Sequence, residues 1–146
     1  MPLNNTCSHV FVAGFIGSPQ MNFIECKIKK KNQDYYAVFE YYSIKLPGRM
    51  NDYLLMYEDK DVILGIRPEN MSIAENNCKE NTIDLYVDIA EMTGSDYYLY
   101  GLIGDEKIIA NVSANSQVKS DTKCKLAIDT EKIHIFDKIS EKLICD

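Results

Sequence analysis

Apolar residues fall at every second position in run after run of this chain, and short turn-forming clusters part the runs at near-regular spacing. In MNFIECKIKK, residues 21–30, Ile24, Cys26 and Ile28 alternate with Glu25, Lys27 and Lys29. Successive strand side chains point to opposite faces, so this alternation describes a strand with one buried face. TIDLYVDIAEM, residues 82–92, repeats the pattern: Ile83, Leu85, Val87 and Ile89 are expected inside, and Asp84, Tyr86 and Asp88 outside. YYAVFEYYSIKL (35–46) offers one or two aromatic strands. VILGIRP (62–68), YYLYGLI (97–103), KIIANVSA (107–114), CKLAID (124–129) and KIHIF (132–136) each supply one more. KNQD at 31–34, Pro47-Gly48, Gly94-Ser95-Asp96 and Gly104-Asp105 carry the turn chemistry between them. Many short strands divided by turns indicate an all-β barrel or sandwich.

Two segments break the pattern. In VFVAGFIGSPQMNF, residues 10–23, Phe11/Phe15 and Val12/Ile16 stand one helical turn apart, and Gly17-Ser18-Pro19 is a strong stop. Such a helix is apolar on most faces and expects neighbours on more than one side. It is no secretory signal, because the first basic residue is Lys27, after the run. It also falls well short of the roughly 20 apolar residues that cross a bilayer. MNDYLLMYEDKD, residues 50–61, is the second helical candidate. The polar stretch SIAENNCKENT, 72–82, is the expected joint between two sub-barrels.

Composition narrows the function classes. The net charge of −6 argues against a phosphate backbone as the main partner, so no nucleic acid is expected, and gives no attraction to an anionic membrane. The five cysteines form no CxxC pair, and neither His9 nor His134 has zinc-site spacing to two thiols. Free thiols in a reducing cytoplasm are the expectation, with no metal site. No GxxxxGK[ST], GxSxG, HExxH or GxGxxG occurs, and no nucleophile stands beside a base. The chain is therefore read as no enzyme, with no catalytic residues and no cofactor of its own.

Four strings stand in a telling order: VFVAGFIGSPQMNF, VILGIRPENM, MTGSDYYLYGLI and KIHIFD. Together they resemble the C-terminal regulatory region, the TOBE or transport-associated OB domain, of ATP-binding subunits from bacterial sugar ABC importers of the maltose/multiple-sugar type. The resemblance covers nearly the whole chain from about Asn5. It implies OB-like β units over 20–146, preceded by residues 1–19 as the end of a nucleotide-binding domain and its hinge. Phe11, Phe15, Gly17, Ser18, Pro19 and Asn22 are then the hinge contacts. Gly65, Arg67, Pro68 and Glu69 of the G-I-R-P-E string, with the Gly94-Ser95 turn, are the candidate regulatory or interface turns. Each also reads simply as strand-end or turn chemistry. The resemblance further implies a homodimer in a transporter complex, cytoplasmic and peripheral to the inner membrane face, with ATP and Mg held by the parent protein and a regulatory protein as a further partner. A small-ligand barrel for an oxyanion or a sugar is the alternative.

Overall fold

The computed structural model describes residues 20–75, 77–113 and 118–146. The expected helix over 10–16, and with it Phe11, Phe15, Gly17, Ser18 and Pro19, lies outside the described residues. Eleven strands follow in the order β1 (Asn22–Lys31), β2 (Asp34–Phe39), β3 (Tyr42–Lys45), β4 (Asp61–Ile66), β5 (Met71–Ile73), β6 (Thr82–Thr93), β7 (Asp96–Ile103), β8 (Glu106–Ser113), β9 (Thr122–Ile128), β10 (His134–Asp137) and β11 (Leu143–Cys145). They form two antiparallel sheets. One has six strands in the order β11-β10-β4-β1-β2-β3; the other has five, β5-β9-β6-β7-β8. The all-β expectation holds.

Four hairpins set the register. The pairs Lys31↔Asp34, Phe39↔Tyr42, Thr93↔Asp96 and Ile103↔Glu106 each enclose a two-residue loop. Its first residue has positive φ every time: Asn32 at 59°, Glu40 at 50°, Gly94 at 63° and Gly104 at 58°. Such loops match the right-handed twist of the paired strands, and Gly or Asn reaches them at least cost. Glu40 carries no such sequence cue, so the 35–46 run could not be divided from residues alone; the structure splits it into β2 and β3.

The core lies between the sheets. Ile24, Cys26 and Ile28 of β1, Val62 and Leu64 of β4, and Ile135 of β10 meet Ile83, Leu85, Leu99, Ala110 and Leu126 from the five-stranded sheet. Burial pushes the thiols of Cys26 and Cys145 up to about 12, so both stay protonated at neutral pH. Among the described residues Cys26, Cys78, Cys124 and Cys145 are free thiols.

Three details differ from the sequence reading. The 50–61 segment is only a short helical passage: α1 (Asn51–Leu54) between 3-10 turns at Gly48–Met50 and Leu55–Tyr57. Ile89 is not in the core but 57% exposed, because a bulge between Val87 and Ile89 inserts one residue and reverses the alternation. From there the next position is the inward one: Ala90 packs against the core, while Ile89 stands on the outer face opposite Tyr100. Finally, the chain leaves the six-stranded sheet at residues 67–70, after β4. The 72–82 stretch runs from the end of β5 to the start of β6, within the five-stranded sheet.

Candidate functional site at the crossing between the sheets

The chain crosses between the sheets twice, each time through a 3-10 turn. It goes out at Pro68–Asn70 and returns at Thr130–Lys132. Pro68 suits the first position of such a turn, where its missing N–H is not needed. The Asn70 N–H bonds to the Arg67 carbonyl at 3.0 Å, and the Asp129 N–H bonds to the Asn70 carbonyl at 3.0 Å, so the two crossings are tied together. The Asp129 side chain caps the return turn by accepting from the Glu131 N–H at 3.1 Å. Arg49, from the 3-10 turn ahead of α1, grips the same turn. Its Nη2 donates to the Glu131 carbonyl at 2.8 Å, its Nη1 meets the Glu131 carboxylate, and its Nε donates to the Asp146 carbonyl at 3.2 Å.

Asn22 stands at the centre of this junction. Among the described residues it is the one polar side chain in the buried set, 5% exposed. Its Oδ1 accepts from the Ile109 N–H at 2.8 Å, and its Nδ2 donates to the Ile109 carbonyl at 2.8 Å and to the Ile66 carbonyl at 3.2 Å. The side-chain amide thus acts as one more peptide unit against β8, the edge strand of the five-stranded sheet, and fastens it to β1 and β4 of the other. A buried amide is tolerated because both its oxygen and its nitrogen find partners. No aliphatic residue could join the sheets this way.

Gly65 lies directly across from Phe23 on β1. A Cβ there would stand 2.6 Å from Met21 Sδ and 2.9 Å from a Phe136 ring carbon, so only glycine admits this packing without movement. Arg67 is half-buried, Pro68 buried and Glu69 exposed. Arg67 borders a cavity of about 270 Å³ with Asn70, Glu131, Lys132, Ile133, His134 and Asp146. His134 Nδ1 is 3.7 Å from the Asp146 carboxylate, too long for a hydrogen bond, and has no such partner. Burial lowers its pKa below the usual histidine value; the Asp146 carboxylate opposes this, and the Arg67 charge adds to it.

The structure therefore brings Asn22, Gly65, Arg67 and Pro68 into one junction, with Glu69 at its surface. Gly94 and Ser95 do not belong to it. They form the exposed β6–β7 hairpin tip, at the opposite end of a 12-residue strand from the crossing, roughly 35 Å away at about 3.3 Å per residue. Sequence reasoning passed over Arg49, Asp129 and Ile109. Ser/Thr/Asp/Asn ahead of a short turn is a capping cue that could have pointed to Asp129, whereas Ile109 contributes only backbone groups and has no cue at all. Among the described residues no cluster of three or more His, Cys, Asp or Glu could hold a metal ion. The crossing carries balanced charge and no nucleophile–base pair; what it does is fix two curled sheets in one relative position.

The class of domain follows from this architecture. The MalK OB fold domain matches residues 17–71 and the TOBE domain matches residues 64–136, so the two models overlap on the end of β4 and the outgoing crossing. The chain belongs to the TOBE domain family. Its curated relatives are ATP-binding subunits of ABC transporters, and the match falls in their OB/TOBE part rather than the ATPase domain. The trehalose/maltose import ATP-binding protein MalK of Thermococcus litoralis is 33% identical over 143 residues, covering 94% of this chain and 38% of that protein. The oligosaccharides import ATP-binding protein MsmX of Bacillus subtilis is 33% identical over 138 residues, covering 91% and 37%. The uncharacterized ABC transporter ATP-binding protein YcjV of an Escherichia coli strain is 32% identical over 143 residues, covering 97% and 38%. The chain thus spans somewhat over a third of the length of these relatives. Among solved structures, the cytoplasmic molybdate-binding protein ModG, in a form with molybdate bound, aligns with a TM-score of 0.59 at 9% identity, covering 83% of this chain and 97% of that one. That likeness concerns the fold.

Proposed function

We propose that this chain is the regulatory and dimerisation module of a sugar ABC importer's ATP-binding subunit, holding two copies together without ATPase activity of its own. The observation that carries the reading is the outer face of the five-stranded sheet. Tyr86 and Ile89 of β6 stand exposed there, opposite Leu102 and Tyr100 of β7 in register, with Tyr98 on the same face. Directly opposed residues of an antiparallel pair share a face, so these side chains form one aromatic and aliphatic patch that the protein's own core does not use. Tyrosine suits a surface that is dry on one side and wet on the other.

In this reading the parent polypeptide carries the ATP and Mg chemistry in a nucleotide-binding domain, and the junction at Asn22 keeps the two sheets rigid while that domain moves. A persistent contact between two such modules raises the effective concentration of the attached domains for each other. A regulatory protein would act through the same body, and the assembly would sit in the cytoplasm against the inner membrane face. Among the described residues no helix is long and apolar enough to cross a membrane.

Sedimentation equilibrium tests this. The chain is expected to dimerise at high micromolar concentration, and Ile89→Asp is expected to weaken association at least tenfold with its far-UV spectrum unchanged. A strict monomer at that concentration overturns the reading.

A further inference from the structure

The outer face of the five-stranded sheet is charged differently at its two ends. Directly opposed residues of an antiparallel pair share a face. Lys123 of β9 is opposite Tyr86, and Lys107 of β8 is opposite Leu102, so both lysines stand at one end of the aromatic and aliphatic patch. Glu91 of β6 is opposite Tyr98, and Asp96 lies two residues from Tyr98 on β7, so both carboxylates stand at the other end. Ile89 and Tyr100 lie between the two. Lys107, Lys123 and Glu91 are exposed and Asp96 is half-buried. None of the four forms an ion pair among the described residues. Neighbouring charges leave the gradient in place. Asp84 and Lys125, two residues beyond the Tyr86–Lys123 pair, stand opposite each other and cancel. Glu106 shares its face with the buried Ile103 and so turns to the core side.

We propose that two copies stack these faces with their strands running in opposite directions, so that Lys123 and Lys107 of each copy meet Glu91 and Asp96 of the other. The orientation rests on the dimerisation proposed above and names the residues that fix it. A two-fold dimer presents the same patch from both partners. With the patches centred on Ile89 and Tyr100, two arrangements along the strands are open. Parallel strands set lysines on lysines and carboxylates on carboxylates, and like charges placed together oppose association. Antiparallel strands put each lysine end over a carboxylate end, around an apolar centre. A dry centre with a charged rim is the ordinary build of a protein interface. An unrelated partner would need the same gradient in reverse, whereas a second copy supplies it by symmetry.

Sedimentation equilibrium of the 146-residue chain tests the orientation. Lys123→Glu and Glu91→Lys are each expected to weaken self-association about tenfold, because each turns two attractive contacts into two repulsive ones. The double variant is expected to return to within about threefold of the unmutated protein. That rescue has to come from the second copy. Leu102 and Tyr98, which mark the two rows on β7, are four residues apart, about 13 Å, too far for Lys123 to reach Glu91 of its own chain. Single variants as tight as the unmutated protein overturn the orientation, as does a double variant no tighter than the singles. Loss of the dimer in Ile89→Asp alongside either result leaves the dimer reading standing. A strict monomer of the unmutated chain overturns both. A second cycle, Lys107→Glu with Asp96→Lys, carries the same expectations and decides the matter where a variant of the first fails to fold.

Discussion

Asn22 joins the two sheets through a single side-chain amide. Asn22→Ala removes three hydrogen bonds and leaves the inward-facing N–H and carbonyl of Ile109 without their partner. The expected cost is about 2–3 kcal/mol, read from the urea midpoint, because stranded buried groups lose their full hydration. His134 gives a pH signal of definite sign. Its folded-state pKa lies below 6.5, so the unfolded chain binds the proton more readily. The stability this neutral imidazole contributes is complete above pH 6.5 and is lost as pH falls from 6.5 towards the folded value. Urea melts of the native protein and His134→Gln at pH 7 and pH 5 should show the larger drop in the native protein. Equal drops would mean that His134 does not titrate differently on folding.

At the scale of elements, loops and bulges set which side chains meet. Glu141 closes the turn between β10 and β11 with φ of 62°, and its N–H bonds to the Asp137 carbonyl at 2.8 Å. A side chain in that left-handed conformation is strained, and glycine is not. Glu141→Gly should stabilise by about 0.5–1 kcal/mol after glycine's greater unfolded-state freedom is deducted, raising the melting midpoint. The strands with clean alternation, β1 and β9, were legible because burial of one face dictates their residue types. β5 and β11 were not. Each has three residues, too few to show a period, and each exists because a longer strand offers it an edge. Ile89 was misplaced because nothing in TIDLYVDIAEM marks the inserted residue. The bulge is held by tertiary partners, the Asp121 N–H on the Val87 carbonyl at 2.7 Å and the Ala90 N–H on Ser120 Oγ at 3.3 Å.

On the scale of the whole molecule, charge balance separates an interaction module from a small-ligand barrel. The cavity at the crossing sets Arg67 and Lys132 against Glu131 and Asp146, so an oxyanion meets no net attraction there. Molybdate, sulfate and phosphate at millimolar concentration are each expected to leave the melting temperature within about 1 °C, since binding only the folded state would raise it. A rise of several degrees would favour the ligand-binding alternative. Of the junction residues, the G-I-R-P-E string was visible as a strand end followed by Pro. That it lies beside Asn22, more than forty positions earlier, follows only from β1 pairing with β4.

What the sequence determined by itself was the periodicity: two-residue alternation, loop residues suited to positive φ, and hence an all-β body with its core faces named. Those are local properties, since each depends on a residue and its near neighbours. What only the tertiary structure decided was where the chain changes sheets, which face Ile89 takes, and that one asparagine links strands 87 residues apart. Such contacts depend on backbone groups and on pairing across the fold. Every residue carries the same backbone groups, so the order of side chains cannot reveal which of them will meet.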